Sequence, residues 1–141
     1  MIEINNLTSF VLDKKLFTGI AKKVLKGENR EREKISLAFV NKKEIQKLNK
    51  KFRGKNKATD VLSFELMKPF DSAQGRQECL GEIVICPEVV KENAQKYSVS
   101  IKYEMIKVFV HGILHLLGYD HEKNEKDAEK MEEKQNFYLL K

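Results

Sequence analysis

The segment Ser100-Ile-Lys-Tyr-Glu-Met-Ile-Lys-Val-Phe-Val-His111-Gly-Ile-Leu-His115-Leu-Leu-Gly118-Tyr-Asp-His121 sets the architecture around which the rest of the chain is placed. From about Ser100 to Leu117 it is apolar on nearly every side of a helix, through Met105, Ile106, Val108, Phe109, Val110, Ile113, Leu114, Leu116 and Leu117. A helix that is hydrophobic all round belongs at the centre of a core. Its exceptions, Glu104, Lys107, His111 and His115, recur three or four residues apart, so they form one polar stripe that ends at Gly118. Polar groups carried into a core need a cleft, a metal or hydrogen-bond partners. The stripe marks where a site is expected.

All three histidines of the chain lie in this segment, at offsets 0, 4 and 10 from His111, with Gly118 at offset 7. Residues four apart on a helix share a face one turn apart, so His111 and His115 can hold one ion together. Gly118 can take the left-handed backbone that ends the helix, and the returning chain can bring His121 in as a third nitrogen. Three protein ligands leave a fourth position open, the pattern of a catalytic rather than a structural zinc. The spacing equals that of the metzincin motif, H-E-x-x-H-x-x-G-x-x-H, with Gly112 standing where the peptidases carry their general-base glutamate. Metal-assisted hydrolysis is therefore favoured over peptidase chemistry. The competing arrangement is a noncatalytic zinc closed by Asp120 or a cysteine.

At 141 residues, with 41% hydrophobic and 34% charged side chains, the chain is expected to form a single domain over residues 1–141 with its own core. It holds no apolar run able to span a bilayer, and Met-Ile-Glu-Ile-Asn-Asn does not read as a signal peptide, so no membrane association and a cytoplasmic location are expected. Cys79 and Cys86 form no zinc knuckle and are expected as reduced thiols, Cys86 as core filling at a strand end. The net charge of +6 is unevenly spread. Residues 1–60 carry 16 basic against 7 acidic side chains, and residues 61–141 carry 11 against 14. Much of the excess lies between Lys42 and Lys57, where Lys47, Lys50, Lys51, Arg53, Lys55 and Lys57 are candidate nucleic-acid contacts. Such density attracts polyphosphate and makes binding salt-sensitive, although a lysine-rich helix is often only a solvated face.

Strands are expected at Ile2–Asn5, Ile35–Val40, Val61–Phe64 and Ile83–Cys86, from their β-branched and apolar content. Helices are expected over Asp13–Leu25, stopped by Gly27, and over Lys42–Phe52, with Asn41 as N-cap and Ile45, Leu48 and Phe52 facing the core. A further helix starts at Pro87 and runs to about Tyr97. The stretch Lys68–Glu78 reads as a polar, exposed loop. Glu122–Leu140 reads as an amphipathic surface helix covering the core, with no assigned chemistry.

Three blocks then agree with one family. His111-Gly-Ile-Leu-His115-Leu-Leu-Gly118-Tyr-Asp-His121 resembles the signature of the YbeY family of bacterial endoribonucleases and rRNA maturation factors. Leu48-Asn-Lys-Lys-Phe-Arg53, continuing through Ala58-Thr59-Asp60-Val-Leu-Ser63-Phe64, is similar to that family's L-N-x-x-[YF]-R…P-T-D-V-L-S-F-P segment. Leu80-Gly81-Glu82-Ile83-Val-Ile-Cys86 is similar to its L-G-D-I-x-I block. The departures are Ala58 and Glu65 in place of prolines, and Glu82 in place of aspartate. The resemblance runs from roughly Ile35 to the end of the chain and implies an α+β fold, a small mixed four-stranded sheet flanked by about five helices, with a metzincin-like metal helix.

It also implies one metal held by His111, His115 and His121, with Zn2+ expected and other divalent transition metals compatible with three imidazoles. The implied activity is a single-strand-specific endoribonuclease in small-subunit (16S) rRNA 3′-end maturation and ribosome quality control, with the small ribosomal subunit as partner. Zinc can bring the pKa of water to about 7, which makes the lack of a glutamate at Gly112 tolerable. Arg53 is the candidate for gripping the scissile phosphate with its planar fork. Asp120 is a candidate base or partner for a ligand histidine, and equally a turn residue after Gly118. Thr59, Asp60 and Ser63 are candidate cleft residues. An alternative is a ribosome-associated RNA-binding assembly factor whose metal is chiefly structural; a metallopeptidase is disfavoured by Gly112.

Overall fold

Alternation of apolar residues along Lys34–Phe39 buries Ile35, Leu37 and Phe39 on one side of a strand, and the sheet is ordered around it. The computed structural model describes residues 2–65, 79–119 and 125–139. In chain order its elements are β1 (Ile2–Asn6), α1 (Lys14–Gly27), β2 (Lys34–Phe39), α2 (Lys42–Arg53) and β3 (Val61–Glu65). There follow β4 (Cys79–Ile85), α3 (Pro87–Lys96), α4 (Ile101–Leu116) and α5 (Glu125–Leu139). The sheet order is β1-β2-β4-β3. β1 and β4 both run parallel to β2, with Ile2 opposite Ile35 and Leu37 opposite Ile83, while β3 is antiparallel to β4, with Ser63 opposite Ile83. This is the mixed four-stranded α+β arrangement expected from the sequence. No helix among the described residues is long and apolar enough to cross a membrane.

The central strand β4 serves two cores, because successive side chains of a strand point to opposite faces. Ile83 and Ile85 join the larger core with Phe17, Phe39, Phe109 and Ile113, whereas Val84 and the buried Cys86 join a smaller one with Ile45 and Leu62 beneath α2. In the larger core Phe17 meets Phe39 and Phe109 edge-on, with ring centroids 5.2 and 5.3 Å apart, the arrangement that aromatic quadrupoles favour. Helix α4 is as central as its composition requires: Phe109, Val110, Ile113 and Leu114 are fully buried. Cys79 and Cys86 are both free thiols.

Local signals act where they were expected. Asn41 caps α2 by accepting from Glu44 N at 2.9 Å, and Pro87 sits in the first turn of α3. Two expectations fail. β4 begins at Cys79 rather than Ile83, and Cys86 leaves it to cap α3. Phe52 is 57% exposed instead of facing the core. The core beneath α2 is small, so the last turn of the helix passes beyond it, and the Phe52 ring meets Phe64 edge-on at 5.2 Å. The expected loop at residues 68–78 lies outside the described residues.

Candidate active site

Helix α4 carries the site, and its two ends explain how the histidines are held. Ser100 caps the start by accepting from Tyr103 N at 3.0 Å. At the other end Gly118 takes φ +103°, Gly118 N donates to His115 O at 3.1 Å and Tyr119 N donates to Leu114 O at 3.0 Å. This paired closure is the Schellman motif, which needs a left-handed residue at the position Gly118 occupies. The chain is thereby turned back directly after the second histidine.

His111 and His115 converge as the four-residue spacing demands: their Nε2 atoms are 3.1 Å apart. Two nitrogens each about 2.0–2.1 Å from one tetrahedral ion would stand ~3.3 Å apart, so this pair fits a shared ion with little movement. The far side of the first ring is also fixed. His111 Nδ1 lies 2.9 Å from Gln135 Oε1 on α5. An amide oxygen only accepts, so Nδ1 carries the proton and Nε2 offers its lone pair toward His115. Ligand histidines commonly hold their second nitrogen this way. Among the described residues no group of three or more His, Cys, Asp or Glu side chains converges as a complete metal set. His121 and Asp120, the expected third ligand and its neighbour, lie outside the described residues.

Gly112 faces the sheet. A Cβ there would come within 3.1 Å of Ile83 Cγ2 and 3.3 Å of Ser63 Oγ, and Ser63 Oγ itself donates to Gly112 O at 3.4 Å. The position that holds the general base in the peptidase motif is here the contact on which α4 seats against β3 and β4. Any larger side chain there would require Ile83 and Ser63 to give way by a few tenths of an ångström.

The histidine pair opens onto a cleft of about 310 Å³ with a cationic wall made by Arg53, Lys55 and Lys57. Thr59, Asp60 and Ser63 line it too, as the sequence led us to expect. Arg53 ends α2, and its Nη2 donates to Ser63 O at 3.2 Å, which leaves further N–H groups of the fork for a ligand. The loop after α2 is pinned by the buried Asn49, whose Nδ2 donates to Lys57 O at 2.9 Å. Lys47, Lys50 and Lys51 are exposed on α2 and are not among the residues lining the cleft. Asn49 and Gln135 were missed in the sequence. The first sits inside the Leu48-Asn-x-x-Phe-Arg block and could have been found there; the second lies on a helix to which no chemistry was assigned, and no local pattern marks it.

A second anchor lies just beyond the C-terminal end of α4. Glu28, which caps the C-terminus of α1, accepts from Tyr119 Oη at 2.6 Å through Oε1, and from Tyr138 Oη and Lys134 Nζ (3.3 Å) through Oε2. Burial alone would raise its carboxyl pKa, but the hydrogen bonds from Tyr119, Tyr138 and Lys134 outweigh it and the net shift is downward. Burial and the Glu28 carboxylate push Tyr119 up to about 12 and raise Tyr138 as well.

Fold and site together define a small α+β protein in which paired imidazoles on a buried helix face a cationic cleft, an arrangement suited to a polyanionic ligand. The family model described as endoribonuclease YbeY matches residues 3–141. The chain is 48% identical over 110 residues to an endoribonuclease YbeY of Bdellovibrio bacteriovorus, covering 78% of this chain and 67% of that one. It is 46% identical over 104 residues to one of Thermotoga neapolitana, covering 74% and 64%. These alignments span about two thirds of the relatives' own length. A solution structure of a Thermotoga maritima protein superposes with a TM-score of 0.70 at 34% identity, over 99% of this chain and 87% of that one. The chain belongs to the endoribonuclease YbeY family.

Proposed function

We propose that residues 1–141 act as one domain, a metal-dependent endoribonuclease directed at single-stranded RNA. Its proposed work is late maturation of the 3′ end of small-subunit (16S) rRNA and ribosome quality control, in the cytoplasm and on the small ribosomal subunit. The observation that carries this reading is the convergence of two imidazole Nε2 atoms, 3.1 Å apart, on a cleft walled by Arg53, Lys55 and Lys57. Family membership supports the reaction class.

His111, His115 and His121 would hold the ion, with Zn2+ preferred on ordinary availability. When bound, it supplies Lewis acidity, polarising a phosphoryl oxygen or making hydroxide accessible near neutral pH. Gln135 keeps His111 in the tautomer whose Nε2 is free of its proton. Arg53, with one N–H engaged by Ser63 O, presents the rest of its fork to the non-bridging oxygens and stabilises the charge that grows on them. Lys55 and Lys57 hold neighbouring phosphates, and Lys47, Lys50 and Lys51 extend the attraction along α2. Asp120 serves as the acceptor that orients a ligand histidine, or as a base. The nucleophile is water or the RNA 2′-hydroxyl, and the product ends distinguish them: a cyclic 2′,3′-phosphate marks the second route.

The test is cleavage of a labelled single-stranded RNA by wild type and by His115→Ala, with metal content measured on both samples. The expected result is cleavage by the metal-loaded wild type and at least about a hundredfold less by the variant, since even lost outer contacts of a metal site cost up to that much. Equal cleavage would identify a contaminating nuclease. No cleavage by a metal-loaded wild type would favour the assembly-factor reading.

A further inference from the structure

Glu104, two turns before His111 on the same stripe of α4, is only 3% exposed, and among the described residues its Oε1 has no hydrogen-bond partner. Lys107, one turn on, does not neutralise it within ion-pair distance; its ammonium lies over the Tyr97 ring instead, 5.9 Å from the centroid. A buried carboxylate oxygen lacking a donor is costly, and such a group in a native protein calls for an account, an ordered water, an ion or a ligand group among them. There is room for one. Glu104 lines a cavity of about 380 Å³ with Asn93, Tyr97, Lys107, His111 and Gln135, inside the range of about 300–1,000 Å³ typical of ligand pockets. This cavity and the Arg53 cleft share Asp60, Val61 and His111 as lining residues, so the cavity adjoins the space in front of the histidine pair.

The lining matches a nucleotide rather than a bare ion. Tyr97 is 56% exposed and offers a ring for stacking, with Lys96 Nζ 5.6 Å and Lys107 Nζ 5.9 Å from its centroid. Aromatic rings flanked by cations are how single strands are gripped, and unpaired bases are read on their hydrogen-bonding edges. A carboxylate only accepts, so it selects a base edge that donates. Cytosine, adenine and guanine each carry an exocyclic amino group, whereas uracil offers a single N–H between two carbonyls that a carboxylate repels.

We propose that this cavity is a nucleobase subsite beside the cleavage centre, in which Tyr97 stacks the base and Glu104 selects one bearing an exocyclic amino group. The inference rests on the RNA-directed reading above. It is tested by fluorescence anisotropy with labelled oligo(C) and oligo(U) of equal length, at fixed salt and with a chelator present so that no cleavage occurs. Wild type, Glu104→Gln and Tyr97→Ala are compared, each checked for an unchanged thermal melt.

Wild type is expected to favour oligo(C) by about tenfold, the scale of one good base contact. Glu104→Gln should bring that ratio close to one. Tyr97→Ala should weaken both ligands by about tenfold while keeping the ratio, since stacking is sequence-tolerant. Equal wild-type affinity for the two oligomers, or a preference that Glu104→Gln leaves intact, overturns the subsite. Absence of any RNA binding by wild type would instead overturn the RNA-directed reading. Should Glu104→Gln fail to fold, loss of affinity in the surface variant Tyr97→Ala still decides whether the cavity holds a base, and unchanged affinity there rejects it.

Discussion

Glu28 and Glu104 are the same side chain in opposite circumstances. Both carboxylates are largely withdrawn from water. Glu28 is met by two phenols and an ammonium from Tyr119, Tyr138 and Lys134, so its charge is held by three donors from outside its own helix. Glu104 keeps an oxygen with no donor among the described residues. The difference is one of location. Glu28 lies where α1, the turn after α4 and α5 meet, and all its partners come from the chain. Glu104 lies where α4 borders a cavity, and among the described residues no donor reaches its Oε1. The first behaves as a fastener and the second as a receptor, although neither sequence context distinguishes them.

Removing the fastener should have the largest effect. Glu28→Ala leaves Tyr119, Tyr138 and Lys134 without their acceptor and should cost about 3 kcal/mol in urea unfolding, the scale of losing hydrogen bonds to a charged group. A loss below about 1 kcal/mol would mean the three donors find water equally well, and the contrast with Glu104 would collapse. The pH dependence adds a direction. Because the folded pKa of Glu28 is lowered, its stabilisation is complete above the ordinary carboxylate range and fades as pH falls through the lowered folded value. The stability gap between wild type and Glu28→Gln should therefore narrow in acid.

The fastener also bears on the site, since Lys134 and Tyr138 bracket Gln135 on α5. Gln135→Ala should weaken metal binding by about tenfold, as lost outer contacts to ligand histidines do, with little change in melting temperature. Isothermal titration with Zn2+ gives the answer; unchanged affinity would reduce the Gln135–His111 contact to packing.

The smallest effect is expected at Glu104. Glu104→Gln replaces a buried carboxylate whose Oε1 has no donor among the described residues, so stability should stay within about 1 kcal/mol of wild type, on the side of a gain. A loss as large as that of Glu28→Ala would show a donor for Glu104 within the chain and erase the comparison.

The parts of the fold legible in sequence were those written in periodicity. Helix α4 was evident because its apolar residues leave one polar stripe, and Asn41, Pro87 and Gly118 marked helix ends by local chemistry alone. The spacing of His111 and His115 specified their convergence, since four residues return a helix to the same face. Phe52 misled because helical spacing says which side a residue occupies and nothing about where the opposing sheet ends. β4 was drawn too short because Gly81 and Glu82 interrupt a strand pattern that its pairing with β2 and β3 sustains.

The sequence by itself determined most of the helical and strand segments, the histidine pair and the cationic run, because each depends on residues within a few turns of one another. Tertiary structure alone decided that Gln135 would hold His111 across 24 residues, that Arg53 would reach Ser63, and that Gly112 would be the seat of α4 on the sheet. It also decided which buried glutamate is satisfied. Those outcomes depend on distance in space between segments far apart in the chain, and no local pattern encodes the meeting of a side chain with a partner the fold brings to it.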